Sequence, residues 1–488
     1  MQKKLPRSTP ERAGVSPLVL DRFAAALDRH DSLHSLIVVR NGSVIAEGWW
    51  RPYRPEVPHL LYSLSKSFAS TAVGLAVNEG LLSLDDRLVT FFPDDLPDEV
   101  GTNLDAMRVR HLLAMCTGHA EEPSVFSAEG WRDPYGVFLR APVEYAPGTH
   151  FLYNTAATFM LSAIVQRLTD QTLVEYLSPR LFDPIGIETP FWESSPEGVN
   201  LGGTGLYLTT EDIARFGLLY LRDGFWNGER LLPEGWVREA TRSHISNGDD
   251  PSSDWNQGYG FQFWRCRNGA YRGDGAFGQY CVVLPEHDVV VAITSGVGDM
   301  QAVLNTIWDD LLPHLASGAE AAERSEASQQ QLTGRLETLA LPLPEVSPSS
   351  PTEARVSGVR WELPENATGL IEVSLEFNTN VFTYRLTGSD HPLAAGADLS
   401  GDYTTRFGRH DWVDDTCLLG YPRRLRSASS GTWVDPQTFE LTIVQIESPH
   451  IITLTFAFAG DLLRLSGCIN VSFGPTEFTP IEGHPIRD

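Results

Sequence analysis

A serine and a lysine stand three residues apart in the stretch HLLYSLSKSFASTAVGLAVNEG, at Ser63 and Lys66. At this spacing the two side chains share one face of a helix, with Cβ atoms about 5–6 Å apart. A serine hydroxyl becomes a good nucleophile only when a neighbouring group takes its proton, and a desolvated neutral lysine can do this. The pair therefore predicts a nucleophile, Ser63, and its proton partner, Lys66.

Lysine is rare in this chain, which strengthens the prediction. Only three of the 37 basic residues are lysines, and Lys66 is the only one beyond position 4. Arginine stays protonated at any pH that a protein meets, whereas a lysine among apolar or cationic neighbours can lose its proton near neutrality. The alternative is an ordinary surface cation on a helix. A biased composition explains the arginines but not this exception.

The elements around the pair predict an α/β or α+β domain over residues 1–315. The segment SPLVLDRFAAAL predicts a helix, and two β-rich runs around Asn41-Gly42 predict a hairpin. Helical patterns follow, ending with TAATFMLSAIVQRLTD. Strand patterns return late, in YGFQFWRC, GQYCVVLP and DVVVAITSG, before a helix around MQAVLNTIWDDLLPHL. We therefore expect one sheet assembled from both ends of this domain.

The remaining chain changes character twice. Residues 316–354 begin with an Ala/Glu/Gln-rich helical piece and continue with proline and serine without periodicity, which is typical of a linker. Residues 355–488 contain alternating runs such as LIEVSLEF, TFELTIVQI and IITLTFAFAG. They predict an all-β module, either a sandwich or a barrel.

Charge and cysteine content limit the partners. The net charge of -26 disfavours nucleic acid and anionic membranes, so a small-molecule substrate is expected, and homo-oligomerisation is left open. The chain shows no apolar run of signal-peptide or membrane-span length, which predicts a cytoplasmic protein. Neither a metal nor another cofactor is expected, because the cysteines lack metal-ligand spacing. These are Cys116, Cys266, Cys281, Cys417 and Cys468.

Five segments carry a family resemblance: YSLSKSF, VRHLLAMCTGH, APGTHFLYNTAATFMLSAIV, GGTGLYLTTEDIARFGLLYLRDG and YRGDGAFGQYCVVLPEHD. Over residues 10 to 315 they resemble the serine β-lactamase and penicillin-binding-protein superfamily. The similarity is to its class C-like branch of esterases, D-aminopeptidases and amide-oligomer hydrolases. The resemblance implies a central antiparallel sheet flanked by helices, with a helical subdomain. The C-terminal module lies outside it.

The resemblance also implies catalytic roles. Ser63 would be the acylated nucleophile, Lys66 its proton partner, and Tyr153 a general base or part of the proton relay. A phenol becomes a base only when a cation holds it ionised, and Lys66 would be that cation. The alternative for Tyr153 is a core aromatic. Where the family often has Tyr-x-Asn, this chain has Tyr153-Asn154-Thr155, so either Asn154 or Thr155 would contact the substrate carbonyl.

The segment RGDGAFG stands where β-lactamases have Lys-Thr-Gly, so the substrate-facing cation is absent. Asp274 should then repel the carboxylate of β-lactams and favour substrates that carry an amine. Arg272 either turns inward as a partial replacement or pairs with Asp274 as a structural ion pair. Gly275 either leaves room for a substrate carbonyl or marks a bulge. Backbone N–H groups of Ser63 and Ala276 are the candidate oxyanion-hole donors.

These observations predict a serine hydrolase that cleaves an ester or amide through an acyl-enzyme on Ser63, of carboxylesterase or amidase type. One alternative is a β-lactamase or D,D-peptidase acting on penicillin or cell-wall peptides, which the missing Lys-Thr-Gly and the missing export signal disfavour. A second alternative is an inactive hydrolase fold that serves as a binding protein. The presence of Ser63, Lys66 and Tyr153 together argues against it.

Overall fold

The computed structural model describes residues 4–315, 326–343, 347, 349–388 and 398–487. The chain divides into two compact units. The first comprises Met1–Trp49, Pro55–Ser295 and Asp299–Leu339, and the second comprises Trp50–Arg54, Gly296–Gly298 and Ala340–Asp488. The first unit therefore extends past residue 315, and the domain boundaries drawn from the sequence stay predictions.

The first unit is built on a six-stranded antiparallel sheet in the order β2-β1-β11-β10-β9-β8. Its two ends in the chain meet where β1 pairs with β11, so the prediction of a sheet assembled from both ends is confirmed. The segment YGFQFWRC contributes only the short strand β8. The strands of this unit are β1 Leu33–Arg40, β2 Ser43–Trp49, β3 His59–Leu60, β4 Phe191–Trp192, β5 Leu206–Leu208, β6 Phe225–Trp226, β7 Glu229–Arg230, β8 Trp264–Arg265, β9 Tyr271–Gly275, β10 Gln279–Leu284 and β11 Val289–Ser295.

The central strands are buried along their whole length. Every residue of β1, β10 and β11 is buried, because helices cover the sheet, so neither face of these strands is exposed to solvent. Asn41 and Gly42 join β1 to β2 with φ angles of 50° and 75°. Positive φ at both central residues is the requirement of a type I′ hairpin turn, which explains why Asn-Gly predicts it correctly.

Helices surround this sheet, and α2 and α6 pack against each other beside it. Helix α12 packs against α1, where Arg335 Nε lies 2.6 Å from Asp21 Oδ1. The helices of this unit are α1 Pro17–Leu27, α2 Ser65–Asn78, α3 Thr102–Ala106, α4 Val109–Leu113, α5 Pro134–Arg140, α6 Thr155–Thr169, α7 Leu173–Leu177, α8 Asp183–Ile185, α9 Thr210–Leu221, α10 Trp236–Thr241, α11 Met300–Thr306 and α12 Glu326–Thr338.

The second unit is one ten-stranded antiparallel sheet in the order β15-β14-β13-β12-β21-β20-β19-β18-β17-β16. Its edge strands β15 and β16 contact each other, so the sheet curls into a near-barrel, and the predicted all-β module is confirmed. The elements are α13 Glu353–Val356, β12 Trp361–Glu362, β13 Leu370–Glu376, β14 Val381–Leu386, β15 Gly401–Arg406, β16 Val413–Cys417, β17 Leu425–Asp435, β18 Thr438–Val444, β19 Ile451–Ala459, β20 Leu462–Ile469 and β21 Glu477–Pro485.

Candidate active site

Ser63 lies on a 3-10 turn, Tyr62–Leu64, that leads directly into α2. It is partly exposed, whereas Lys66 on the first turn of α2 is buried. The start of α2 is fixed to β5, since the Leu206 N–H donates a hydrogen bond to Ser65 Oγ at 3.1 Å. The sequence therefore places an accessible hydroxyl at the entry of a helix that is otherwise held in the core.

Lys66 is the buried cation of the site. Its Nζ lies 2.9 Å from Ser63 Oγ, 2.8 Å from the Gly203 carbonyl oxygen and 3.2 Å from Thr155 Oγ1. Burial lowers the pKa of Lys66 to about 7, although the negative charges of Glu122 and Asp274 act in the opposite direction. At neutral pH a large fraction of this amine is therefore unprotonated and can accept the Ser63 proton.

Tyr153 lies beside this pair. Its ring centroid is 4.8 Å from Lys66 Nζ, and its ring stacks on Trp264 with the centroids 5.2 Å apart. Burial, and then the charge of Asp274, raise the pKa of Tyr153 well above its ordinary value, while a hydrogen-bond interaction with Ser63 opposes them. The phenol is therefore protonated. This favours a proton relay over a tyrosinate base.

The candidate oxyanion donors meet where β9 ends against the 3-10 turn. A Cβ added at Gly275 would lie 2.0 Å from the Leu61 carbonyl oxygen and 3.1 Å from Ser63 N, so only glycine permits this approach. Within the described part of the chain, neither the Ser63 N–H nor the Ala276 N–H donates a hydrogen bond. Both N–H groups therefore stay candidate donors to an oxyanion.

Two aromatic residues with positive φ stand next to these donors. Tyr62, before Ser63, has φ of 46°, and Phe277, after Ala276, has φ of 67°. Their rings meet edge to face with centroids 5.5 Å apart. Bulky residues seldom adopt this conformation, and such strain clusters at functional sites. Sequence reasoning missed it, because neither residue type indicates a left-handed backbone.

The structure places Arg272 and Asp274 in a buried ion pair. Arg272 Nε lies 2.8 Å from Asp274 Oδ2, and its Nη1 donates to the Asp254 carbonyl oxygen, also at 2.8 Å. Arg272 is 0% exposed and Asp274 is 5% exposed. Burial raises the pKa of Asp274, and the Arg272 charge opposes this. The structure therefore does not bring the guanidinium to the accessible side of Ser63, and this pairing is the structural alternative that the sequence left open.

Asn154 is fully buried at the start of α6. Its Oδ1 accepts a hydrogen bond from the Ala157 N–H at 2.9 Å and so caps the helix. Its Nδ2 is buried without a hydrogen-bond partner among the described residues. Thr155, not Asn154, points its side chain to Lys66. A contact between Asn154 and substrate stays a prediction.

Comparison with known proteins identifies the family. A family model described as Beta-lactamase matches residues 23–306. The chain belongs to the beta-lactamase family. The resemblance read from its motifs is thereby confirmed, and a serine hydrolase function fits this membership.

Individual relatives of this beta-lactamase family member are distant. The 6-aminohexanoate-dimer hydrolase of Paenarthrobacter ureafaciens is 26% identical over 289 residues, which cover 54% of this chain and 73% of that protein. Penicillin-binding protein 4 of Amycolatopsis lactamdurans is 25% identical over 296 residues, covering 52% and 76%. The solved structure of a putative 6-aminohexanoate-dimer hydrolase from Bacillus anthracis superposes with a TM-score of 0.51 at 22% identity, covering 58% of this chain and 80% of that one. That superposition shows the shared fold.

Two further groups near Lys66 in this beta-lactamase family member, the Glu122 carboxylate and the Gly203 carbonyl, were not predicted from the sequence. Glu122 is exposed, and its Oε1 accepts hydrogen bonds from the Thr155 and Ala156 N–H groups at 2.6 Å and 3.0 Å. The Gly203 carbonyl holds Lys66 from the other side. Gly203 lies inside a segment that carries the resemblance, but nothing in a glycine indicates that its carbonyl is used, and nothing around Glu122 distinguishes it from other surface acids.

Across the described ranges, no group of three or more His, Cys, Asp or Glu side chains could hold a metal ion. The same ranges contain no helix that is both long enough and apolar enough to span a bilayer.

Proposed function

We propose that this beta-lactamase family member hydrolyses an ester or amide bond through an acyl-enzyme on Ser63. The observation that carries the proposal is the 2.9 Å contact between Ser63 Oγ and the Nζ of a buried lysine. The pKa of that lysine, about 7, matches a general base that works near neutral pH.

The side chains of Ser63, Lys66 and Tyr153 carry out every proton transfer of the proposed reaction. Ser63 Oγ bonds the carbonyl carbon as its proton passes to neutral Lys66. The bond to the leaving group then breaks, and the leaving atom takes the Tyr153 hydroxyl proton, which the Lys66 ammonium replaces. Water attacks the acyl ester, its proton passes to Lys66 and from there to Ser63 Oγ, and the acid leaves. The Ser63 and Ala276 N–H groups stabilise the oxyanion in both steps.

Substrates with an amine near the scissile bond are the proposed preference. From the sequence, Asp274 was the acid expected to favour an amine. In the structure Asp274 is paired with Arg272. Glu122, in contrast, is exposed, and its negative charge raises the pKa of Lys66. A relative is named a 6-aminohexanoate-dimer hydrolase, and 6-aminohexanoate carries an amino group. Comparing an aminoacyl ester with its N-acetyl form tests this, and equal kcat/KM values would remove the preference.

The reaction itself is tested with a p-nitrophenyl acyl ester. Wild-type protein should release p-nitrophenol in a burst equal to the enzyme concentration, because acylation by an ester with so good a leaving group should be faster than hydrolysis of the acyl-enzyme. Ser63→Ala should abolish turnover, while Ser83→Ala, at an exposed serine elsewhere in the first unit, should leave it unchanged. Undiminished turnover by Ser63→Ala would refute the assignment.

Two further assays separate the alternatives. A fluorophosphonate probe should label Ser63, and no labelling would support an inactive fold that serves as a binding protein. Nitrocefin should be hydrolysed slowly, because the Lys-Thr-Gly cation is absent. Rapid nitrocefin hydrolysis would restore the β-lactamase alternative.

A further inference from the structure

The second unit has an open-mouthed cavity of about 730 Å³ at one end of its near-barrel. This volume lies within the range of about 300–1,000 Å³ that is usual for small-molecule sites, and barrel mouths are common locations for such sites. Protein interiors are otherwise close-packed, with few voids larger than a water molecule. Its wall includes the aliphatic side chains of Leu386, Leu418, Leu419, Leu454 and Ile469 and the ring of Phe478.

The two ends of the barrel interior are filled differently. On β19, the inward side chains alternate, and Phe456 and Phe458 at one end pack against aromatic rings of other strands, with Phe458 and Trp433 centroids 6.0 Å apart. Towards the cavity the inward residue is Leu454, and the residue opposite it on β20 is Gly467. Gly467 places no side chain of its own in the interior, and the Phe478 ring takes that space.

Phe478 depends on that same glycine. A Cβ at Gly467 would lie 2.4 Å from Phe478 Cε1, so the Phe478 ring rests on the Gly467 backbone and forms one wall of the cavity. Aromatic side chains therefore fill one end of the interior, whereas aliphatic side chains and Phe478 surround the cavity at the other end.

The charges at the rim select the ligand. Glu365 and Glu477 line the opening and are exposed, and the described lining residues include no lysine, arginine or histidine. An anionic head group would meet like charges without a partner, whereas a cationic or uncharged head group would not. We propose that this cavity binds an aliphatic chain whose head group is cationic or uncharged.

Isothermal titration calorimetry on the full chain tests the proposal with two probes of equal chain length, dodecyltrimethylammonium and dodecanoate, below their micelle concentrations. The cationic probe should bind one per chain, and dodecanoate should bind at least about ten-fold more weakly. Absence of saturable binding of the cationic probe, or equal binding of both probes, would overturn the proposal.

Cavity-filling variants locate the binding. Ile469→Trp and Leu419→Trp should each weaken binding of the cationic probe at least about ten-fold, because the indole occupies the space of the chain. Val434→Trp, at a residue of the same unit that is 54% exposed, is the matched control and should bind as wild type does. Thermal unfolding checks that each variant is folded. Unchanged binding in the folded variants would place the ligand elsewhere and refute the cavity.

Rim variants test the charge without disturbing the core. In Glu365→Gln/Glu477→Gln the preference for the cationic probe over dodecanoate should shrink several-fold, because both carboxylates are exposed and removable. Glu362→Gln, an exposed acid outside the cavity lining, is the control. An unchanged preference in the double variant would overturn the charge argument even if both tryptophan variants failed to fold.

Discussion

Lys66 Nζ lies 2.9 Å from Ser63 Oγ, and burial brings the pKa of Lys66 to about 7. The hydroxyl is partly exposed while the amine beside it is buried. One helical turn thus combines a serine that a carbonyl substrate can reach with a lysine amine that can accept its proton. Near neutral pH a large part of that amine is in the neutral form that acceptance requires.

Ester hydrolysis should depend on the protonation state of Lys66 and therefore on pH. The value of kcat/KM for a p-nitrophenyl ester should rise as pH increases through about 7, because the neutral form of Lys66 is the proposed base and its fraction grows above its pKa. Lys66→Arg should be inactive throughout, since a guanidinium keeps its proton. A rate that does not change between about pH 5 and pH 9 would contradict the role of Lys66.

Glu122→Gln should move this pH profile. The negative charge of Glu122 raises the pKa of Lys66, so removing it should shift the rise in kcat/KM to lower pH. The shift should stay below about one unit because solvent screens an exposed carboxylate. The amide oxygen can still accept the Thr155 N–H, so the helix start is retained. Glu121→Gln is the matched control, and an equal shift there would remove Glu122 from the argument.

Tyr153→Phe should distinguish leaving groups. An amide nitrogen must be protonated as it leaves, so loss of the hydroxyl should lower kcat for amides by about 10²–10⁴-fold. A p-nitrophenolate leaves without a proton and should be affected far less. The ring and its stacking on Trp264 are kept, so the thermal unfolding temperature should change little. Equal losses for amide and ester would argue against proton donation by Tyr153.

Gly275→Ala should damage the proposed oxyanion site. Its Cβ would lie 2.0 Å from the Leu61 carbonyl oxygen, so β9 and the 3-10 turn must separate and the Ala276 N–H moves away from Ser63. Loss of one oxyanion donor typically lowers kcat by about 10²–10³-fold. Gly101→Ala, where an added Cβ meets nothing within 4 Å, is the control. Full activity in folded Gly275→Ala would refute this donor assignment.

Arg272→Met should destabilise the protein. The substitution leaves Asp274 as an uncompensated buried carboxylate, a loss of about 3–5 kcal/mol in similar pairs. Urea unfolding should show this loss near pH 8, and the loss should diminish at lower pH because Asp274, whose pKa is already raised, takes up a proton. Arg272→Met/Asp274→Leu should recover much of the stability. A double variant as unstable as the single one would contradict the ion-pair argument.

Much of the fold could be predicted from local patterns. The Asn41-Gly42 turn and the start of α1 after Ser16 depend on residues adjacent in the chain, and the structure confirms both. The predicted strand YGFQFWRC was mostly wrong, since only Trp264–Arg265 forms β8. Tyr259 instead makes isolated bridges and packs against Trp264, so tertiary packing overrode a strong strand propensity.

The sequence by itself determined the spacing of Ser63 and Lys66, because one helical turn is a local property, and it provided the motifs from which family membership was inferred. Only the tertiary structure decided the protonation states. The pKa of Lys66 depends on burial and on contacts with Thr155 and Gly203, which are 89 and 137 residues away in the chain. It also decided that Arg272 pairs with Asp274, because two adjacent positions on one face of a strand permit either pairing or separate contacts. Desolvation and long-range contacts determine both the protonation of Lys66 and the pairing of Arg272 with Asp274.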